Sequence, residues 1–148
     1  MKFPEKAGVS TKDYHNGVFE GNACRSLLKQ AHLLKDPDVL GNVDEKVVEP
    51  YISLFETMDS IVSSCFHTGK IKSDVNIPEL LQSFINHYKE TGLSVTLKVH
   101  TLIHHLVPCL LNLGGQGLGL YSCQSMEGSH REFYKHYWEK YKVNYLKN

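Results

Sequence analysis

The stretch "VVEPYISLFETMDSIVSSCF", residues 47–66, decides the fold class. Val47, Tyr51, Leu54, Phe55, Met58, Ile61, Val62, Cys65 and Phe66 return every three or four positions, which gathers them on one side of an α-helix. Pro50 lies near the start of this helix, either in its first turn or at a kink. Gly69 is a natural stop beyond its end.

The neighbouring segments follow the same period. Before it, "NACRSLLKQAHLLKD" (residues 22–36) places Cys24, Leu27, Leu28, Ala31 and Leu34 on one face, with Asn22 as the expected cap. Asp36-Pro37 ends it, because a residue before proline is pushed out of the α region. After it, "NIPELLQSFINHYKETG" (residues 76–92) carries Asn76 as N-cap, Glu79 three positions on, and a stripe of Leu80, Leu81, Phe84, Ile85 and Tyr88 closed by Gly92. A fourth helix is expected from about Ser94 to Leu113, with Val95, Val99, Leu102, Ile103, Leu106, Val107 and Leu110 on its apolar face and a bend at Pro108. The "GGQGLG" loop follows, where glycines imply positive φ, a close backbone approach or a hinge. A last helix is expected over 122–145.

No segment alternates convincingly at period two. The expected class is therefore all-α, with about five helices around a single core and a long, aromatic-rich last helix. Residues 1–20 read as an irregular leader. Residues 21–148 read as one helical domain: helices over 21–113, the glycine loop over 114–121, and the terminal helix.

Composition suits an ordinary globular domain, with 41% apolar and 22% charged residues in a chain of 148. Net charge is zero, but its distribution is not even: Arg131 to Asn148 holds five basic and two acidic residues, leaving that tail at +3 and the remainder at −3. The four cysteines are far apart, so no CxxC zinc or redox motif is present. Three fall in apolar helical patterns and read as reduced thiols in an intracellular protein. The N-terminus has no apolar run of signal-peptide type, and no stretch is apolar enough for a membrane span.

Three constellations could carry chemistry. In "KVHTLIHHL", His100 and His104 are four apart and share a helical face, a spacing that chelates metal, with His105, His130 or a carboxylate as the third ligand. The alternative is a polar member of a packed helix. Thr101 stands where HExxH would need glutamate, which excludes that protease motif. In "MEGSH", Glu127 and His130 are three apart and could bind a divalent ion or move a proton, or form a solvated pair near a helix start. In "FYKHYWEKYKVNYLK", Phe133, Tyr137, Tyr141 and Tyr145 form one ridge and Tyr134, Trp138 and Tyr141 its neighbour. Lys135, His136, Lys140 and Lys142 lie around them. Aromatics beside cations contact nucleic acid, or the ridge packs in a core or subunit interface.

The order of these motifs resembles the C-terminal region of transposase-like proteins of animal mobile elements, distantly similar to the Kyakuja–Dileera–Zisupton group of DDE transposases. The resemblance rests on Lys98, His100, His104, His105, Gly117, Gly119, Ser122, Gln124, Glu127, His130 and Phe133. Cys123 stands where an acidic residue belongs in that pattern. The resemblance implies a ribonuclease-H-like parent whose three carboxylates hold two divalent ions, commonly Mg²⁺. Glu127 then corresponds to the third acid, on a late helix, and residues 21–113 to a helical insertion. The strands bearing the first two acids have no counterpart here, and Asp59 and Asp74 lie in or beside helical patterns.

The leading expectation is thus a transposase-derived helical chain, either a piece of a longer product or a short gene, without strand-transfer or nuclease activity and needing no cofactor. Its expected partners are DNA, bound weakly and without sequence preference through Arg131, Lys135, Trp138, Lys140 and Lys142, or a protein, including a second copy. The expected site is intracellular, with the nucleus as the compartment for DNA binding, and no membrane is involved. Two other readings stand beside it: a helical dimerisation module, and a metal-dependent enzyme using His100, His104 and Glu127.

Overall fold

The structure is a computed structural model that describes residues 2–10, 14–15, 18–19 and 21–121. It is all-α, apart from a minimal antiparallel pair, β1 (Tyr14–His15) with β2 (Val18–Phe19). The helices are α1 (Lys2–Lys6), α2 (Gly21–Lys29), α3 (Pro37–Leu40), α4 (Glu45–Cys65), α5 (Ile77–Glu90) and α6 (Leu97–Asn112). Two 3₁₀ turns, Ala31–Lys35 and Leu118–Tyr121, complete the path. No helix among the described residues is long and apolar enough to cross a membrane. The expected terminal helix over 122–145 lies outside the described residues.

α4 is the axis. Asp44 caps it by accepting a hydrogen bond from the Lys46 amide at 3.0 Å, which satisfies one of the unpaired donors at a helix start. Pro50 falls beyond the first turn, inside the helix. The C-terminal half of α4 builds the main core: Leu54, Ile61 and Cys65 meet Ile77, Leu81, Phe84 and Tyr88 of α5 and Leu106 and Leu110 of α6. Ile61 is 0% exposed, and truncating a side chain so enclosed costs about 2–5 kcal/mol. The N-terminal half builds a smaller cluster, in which Val48 and Ile52 pack with Ala31, Leu34 and Phe55.

Several boundaries differ from the sequence reading, each for a local or tertiary reason. The segment 22–36 is not one helix: α2 ends at Lys29 and the chain tightens into the 3₁₀ turn Ala31–Lys35, so that Ala31 points into the smaller cluster. Asn22 lies inside the first turn of α2, not before it. Asp36 is extended, as its proline neighbour demands, and its side chain then caps α3 through the Asp38 amide at 2.9 Å. The segment read as an irregular leader contains α1 and the β1–β2 pair. Lys6 pairs with Asp36 and, at 3.5 Å, with Asp38, a tertiary contact that local periodicity does not reveal. Val47, expected in the buried stripe, is 57% exposed.

α5 follows the sequence closely. The Asn76 side chain accepts from the Glu79 amide at 3.3 Å, and Gly92 takes φ 68° just past the end. α6 starts three residues later than expected, because Thr96 is its cap, accepting from the Val99 amide at 3.3 Å. Val95 therefore precedes the helix and is 64% exposed. The Tyr88 hydroxyl donates to the Ser94 carbonyl at 2.8 Å and ties the α5–α6 link to the core.

The glycine loop ends α6 in a Schellman motif: the Gly114 amide donates to Leu111 and the Gly115 amide to Leu110, both at 3.0 Å. Both residues have positive φ, 62° and 77°. Gly117 and Gly119 serve a different need. Their amides donate to the carbonyls of Gly69 (2.9 Å) and His67 (3.1 Å). A Cβ on Gly117 would stand 2.2 Å from the His67 oxygen, and one on Gly119 2.7 Å from the His67 carbonyl carbon. The Ile71 amide donates back to Gly115 at 3.0 Å. The loop is pinned to the α4–α5 connection, so the hinge expected of it is a seam.

Candidate functional site

The histidines of α6 were the first candidates. Successive turns bring the His100 and His104 rings to 4.5 Å between centroids, and the His105 ring lies 5.7 Å from His100. All three are exposed. The expected His100–His104 proximity is present, but no third ligand joins it: among the described residues no three His, Cys, Asp or Glu side chains converge as a metal would need. Asp59 lies within α4, and Asp74 in the turn before α5. Glu127, His130, Arg131, Lys135, Trp138, Lys140 and Lys142 lie outside the described residues.

The concave features that the side chains do build are apolar. Between α4 and α6 runs an open groove of about 640 Å³. Leu54, Phe55 and Met58 of α4 form one wall and Val99, Leu102 and Leu106 of α6 the other. Leu28 of α2, Phe66, Phe84 of α5 and Leu118 also line it. Its polar members are Lys98, Thr101 and His105, all on α6. Cys109 also lines it and is exposed.

A second groove, of about 790 Å³, lies between α2 and the N-terminal half of α4. Val47, Tyr51 and Cys24 line it, and it shares Leu28, Phe55 and Met58 with the first. The apolar perimeter of α4 is thus wider than its buried stripe. Sequence periodicity registered the surplus as one broad face; the structure divides it into a core side and a groove side. The excess width of that stripe was the available signal for the groove.

One polar pair inside the fold escaped the sequence reading. The Thr57 hydroxyl on α4 donates to the Ser53 carbonyl at 2.7 Å and lies 2.9 Å from Nδ1 of His87 on α5. An Nδ1–H tautomer lets that hydroxyl also accept, which partners both groups. This bond braces α4 against α5; it does not open onto the groove. Of the cysteines expected to act as small hydrophobes, Cys65 does so, and burial pushes its thiol up to about 11. Cys24 and Cys109 are exposed, and Cys123 lies outside the described residues.

Concave surfaces of this size, apolar with few polar groups, bind ligands or partner segments. Two antiparallel or crossing helices that leave an apolar trough between them offer the geometry that receives a third helix. Compared with protein-family models, curated proteins and solved structures, the chain matches none.

Proposed function

We propose that this chain is a transposase-derived helical module that acts by binding, and that the α4–α6 groove receives one apolar face of an amphipathic helix. The observation that carries the reading is the groove itself. Its walls are carbon-rich over Leu54, Phe55, Met58, Val99 and Leu102, and its polar groups stand on one side only. A hydrolytic or phosphoryl-transfer site needs converging acids, bases or metal ligands; a helix-binding groove needs apolar walls spaced for side chains at i, i+4 and i+7. The transposase part of the proposal rests on the sequence resemblance, in which a helical block is followed by the glycine loop and by Glu127 and His130. DNA binding by the basic segment from Arg131 onward belongs to the same proposal and rests on its +3 charge and aromatic ridges.

The test is anisotropy of a fluorescein-labelled synthetic amphipathic helix, with Leu at i, i+4 and i+7 and Lys elsewhere, titrated with the full chain. Saturable binding that Leu102→Glu abolishes, with unchanged circular dichroism, is the expected result. Binding unaffected by Leu102→Glu places the contact elsewhere and overturns the groove assignment.

A further inference from the structure

We infer that His100 and His104 form half of a zinc site that a second copy of the chain completes, so that Zn²⁺ joins two copies across the outward face of α6. This face is separate from the groove: neither histidine lines the groove, whereas His105 does. The inference therefore stands apart from the groove reading.

Three observations carry it. The first is the pair itself. Both rings are exposed, one turn apart on α6, with centroids 4.5 Å from each other. Two nitrogens on one tetrahedral Zn²⁺ stand about 3.4 Å apart, and rotation about χ2 brings rings so placed to that spacing. The Thr101 hydroxyl beside them is engaged in its own helix, donating to the Leu97 carbonyl at 2.9 Å.

The second is what the pair lacks. A closed zinc site takes four ligands, and among the described residues no third His, Cys, Asp or Glu joins these two. No Asp or Glu occurs between Glu90 and Glu127, so α6 offers imidazole without carboxylate, a ligand that suits Zn²⁺ and not Mg²⁺ or Ca²⁺. One pair alone holds the ion weakly. The same pair from a second copy fills the open positions: a twofold axis through the ion presents four imidazoles, the tetrahedral number.

The third is the face around the pair. Leu97 and Leu111 are 80% and 74% exposed, the most exposed large hydrophobics among the described residues. Positions 97, 104 and 111 lie on one stripe, because seven residues are close to two turns. In the antiparallel register that sets each His100 against a His104, each Leu97 meets a Val107. The same register keeps the two Lys98 side chains, the only Lys or Arg of the helix, about 12 Å apart along the axis. A single helix face is too small to hold two copies by itself. The ion closes the contact, which makes the dimer conditional on zinc.

The test uses the full chain, stripped with EDTA and titrated with ZnCl₂. Sedimentation velocity reads its mass, and atomic absorption counts the zinc retained on gel filtration. The expected result is a doubling of mass from 16.8 kDa with one ion bound per two chains, and no change with MgCl₂. His100→Ala and His104→Ala should each hold the mass at its EDTA value with unchanged circular dichroism, since alanine is the best helix former and both positions are exposed. His105→Ala, Glu127→Gln and His130→Ala should behave as wild type. One ion per chain, lost in Glu127→Gln or His130→Ala, would place the site within a single chain and overturn the inference. A mass that zinc leaves unchanged overturns it too, as does zinc-driven growth that His100→Ala fails to stop. Leu102→Glu, which lies in the groove wall, should still dimerise with zinc, so that failure of the groove reading and failure of this one are told apart.

Discussion

The amide of Gly117 donates to the carbonyl of Gly69 across 2.9 Å, and a Cβ at Gly117 would stand 2.2 Å from the His67 carbonyl oxygen. The two backbones touch with no room for a side chain. Gly117→Ala must push the 67–69 strand of chain away and break the seam, at about 1–3 kcal/mol. Gly114→Ala meets no atom within 4 Å and suffers only its positive φ, at about 1–2 kcal/mol. Urea midpoints should fall for both and further for Gly117→Ala. A neutral Gly117→Ala means that the loop does not sit on His67.

Thr57 and His87 give a second prediction. Thr57→Val keeps the shape but leaves Nδ1 of His87 without its partner, and should destabilise by about 1–3 kcal/mol. His87→Leu in addition removes the orphaned group. A double-mutant cycle by urea unfolding should therefore show a favourable coupling of about 0.5–1.5 kcal/mol. Strict additivity would show that the two side chains do not interact.

Cys65 predicts an alkaline signature. Its thiol is pushed up to about 11 from an ordinary 9.0, so below pH 9 folded and unfolded chains both keep the proton and the contribution is whole. Between pH 9 and 11 the unfolded chain ionises first, and stability falls as pH rises. Relative to Cys65→Ala, wild type should hold a constant advantage up to pH 9 that shrinks above it. A constant advantage to pH 11 contradicts the buried-thiol assignment.

The proposed DNA binding makes a salt-dependent prediction. Binding should be weak and indifferent to sequence, with log K falling linearly in log salt. Lys135→Glu with Lys140→Glu should reduce the slope by about two, one for each phosphate contact removed. An unchanged slope moves the contact surface away from this segment.

Metal titration separates the histidine reading from the binding reading. Two exposed imidazoles 4.5 Å apart should take up Zn²⁺ only weakly, and calorimetry with Mg²⁺ or Mn²⁺ should show no stoichiometric site. Stoichiometric uptake lost in both His100→Ala and Glu127→Gln would join the two elements in one centre and revive the enzyme.

Local chemistry was legible wherever it acts over three or four residues. Asn76 and Glu79, Asp36 before Pro37, and Gly92 after α5 could each be placed from neighbours alone, because a cap or a proline clash involves only adjacent backbone. The amphipathic period of α4, α5 and α6 likewise gave the all-α class. The histidine spacing was read correctly as geometry, but that no third ligand joins the pair among the described residues was not readable, because ligands converge through the fold and not through the chain.

By itself, the sequence determined the class of fold, both ends of α5 and a glycine-rich link after α6. Only the tertiary structure decided what each glycine does. Gly114 and Gly115 answer to the dihedral demands of their own helix end, whereas Gly117 and Gly119 answer to the carbonyls of His67 and Gly69. It also divided the apolar perimeter of α4, sending Ile61 into the core and Phe55 and Met58 to the groove. Hydrophobicity has no direction: it requires that apolar area leave water, and which neighbour removes it is set by how α2, α5 and α6 cross α4.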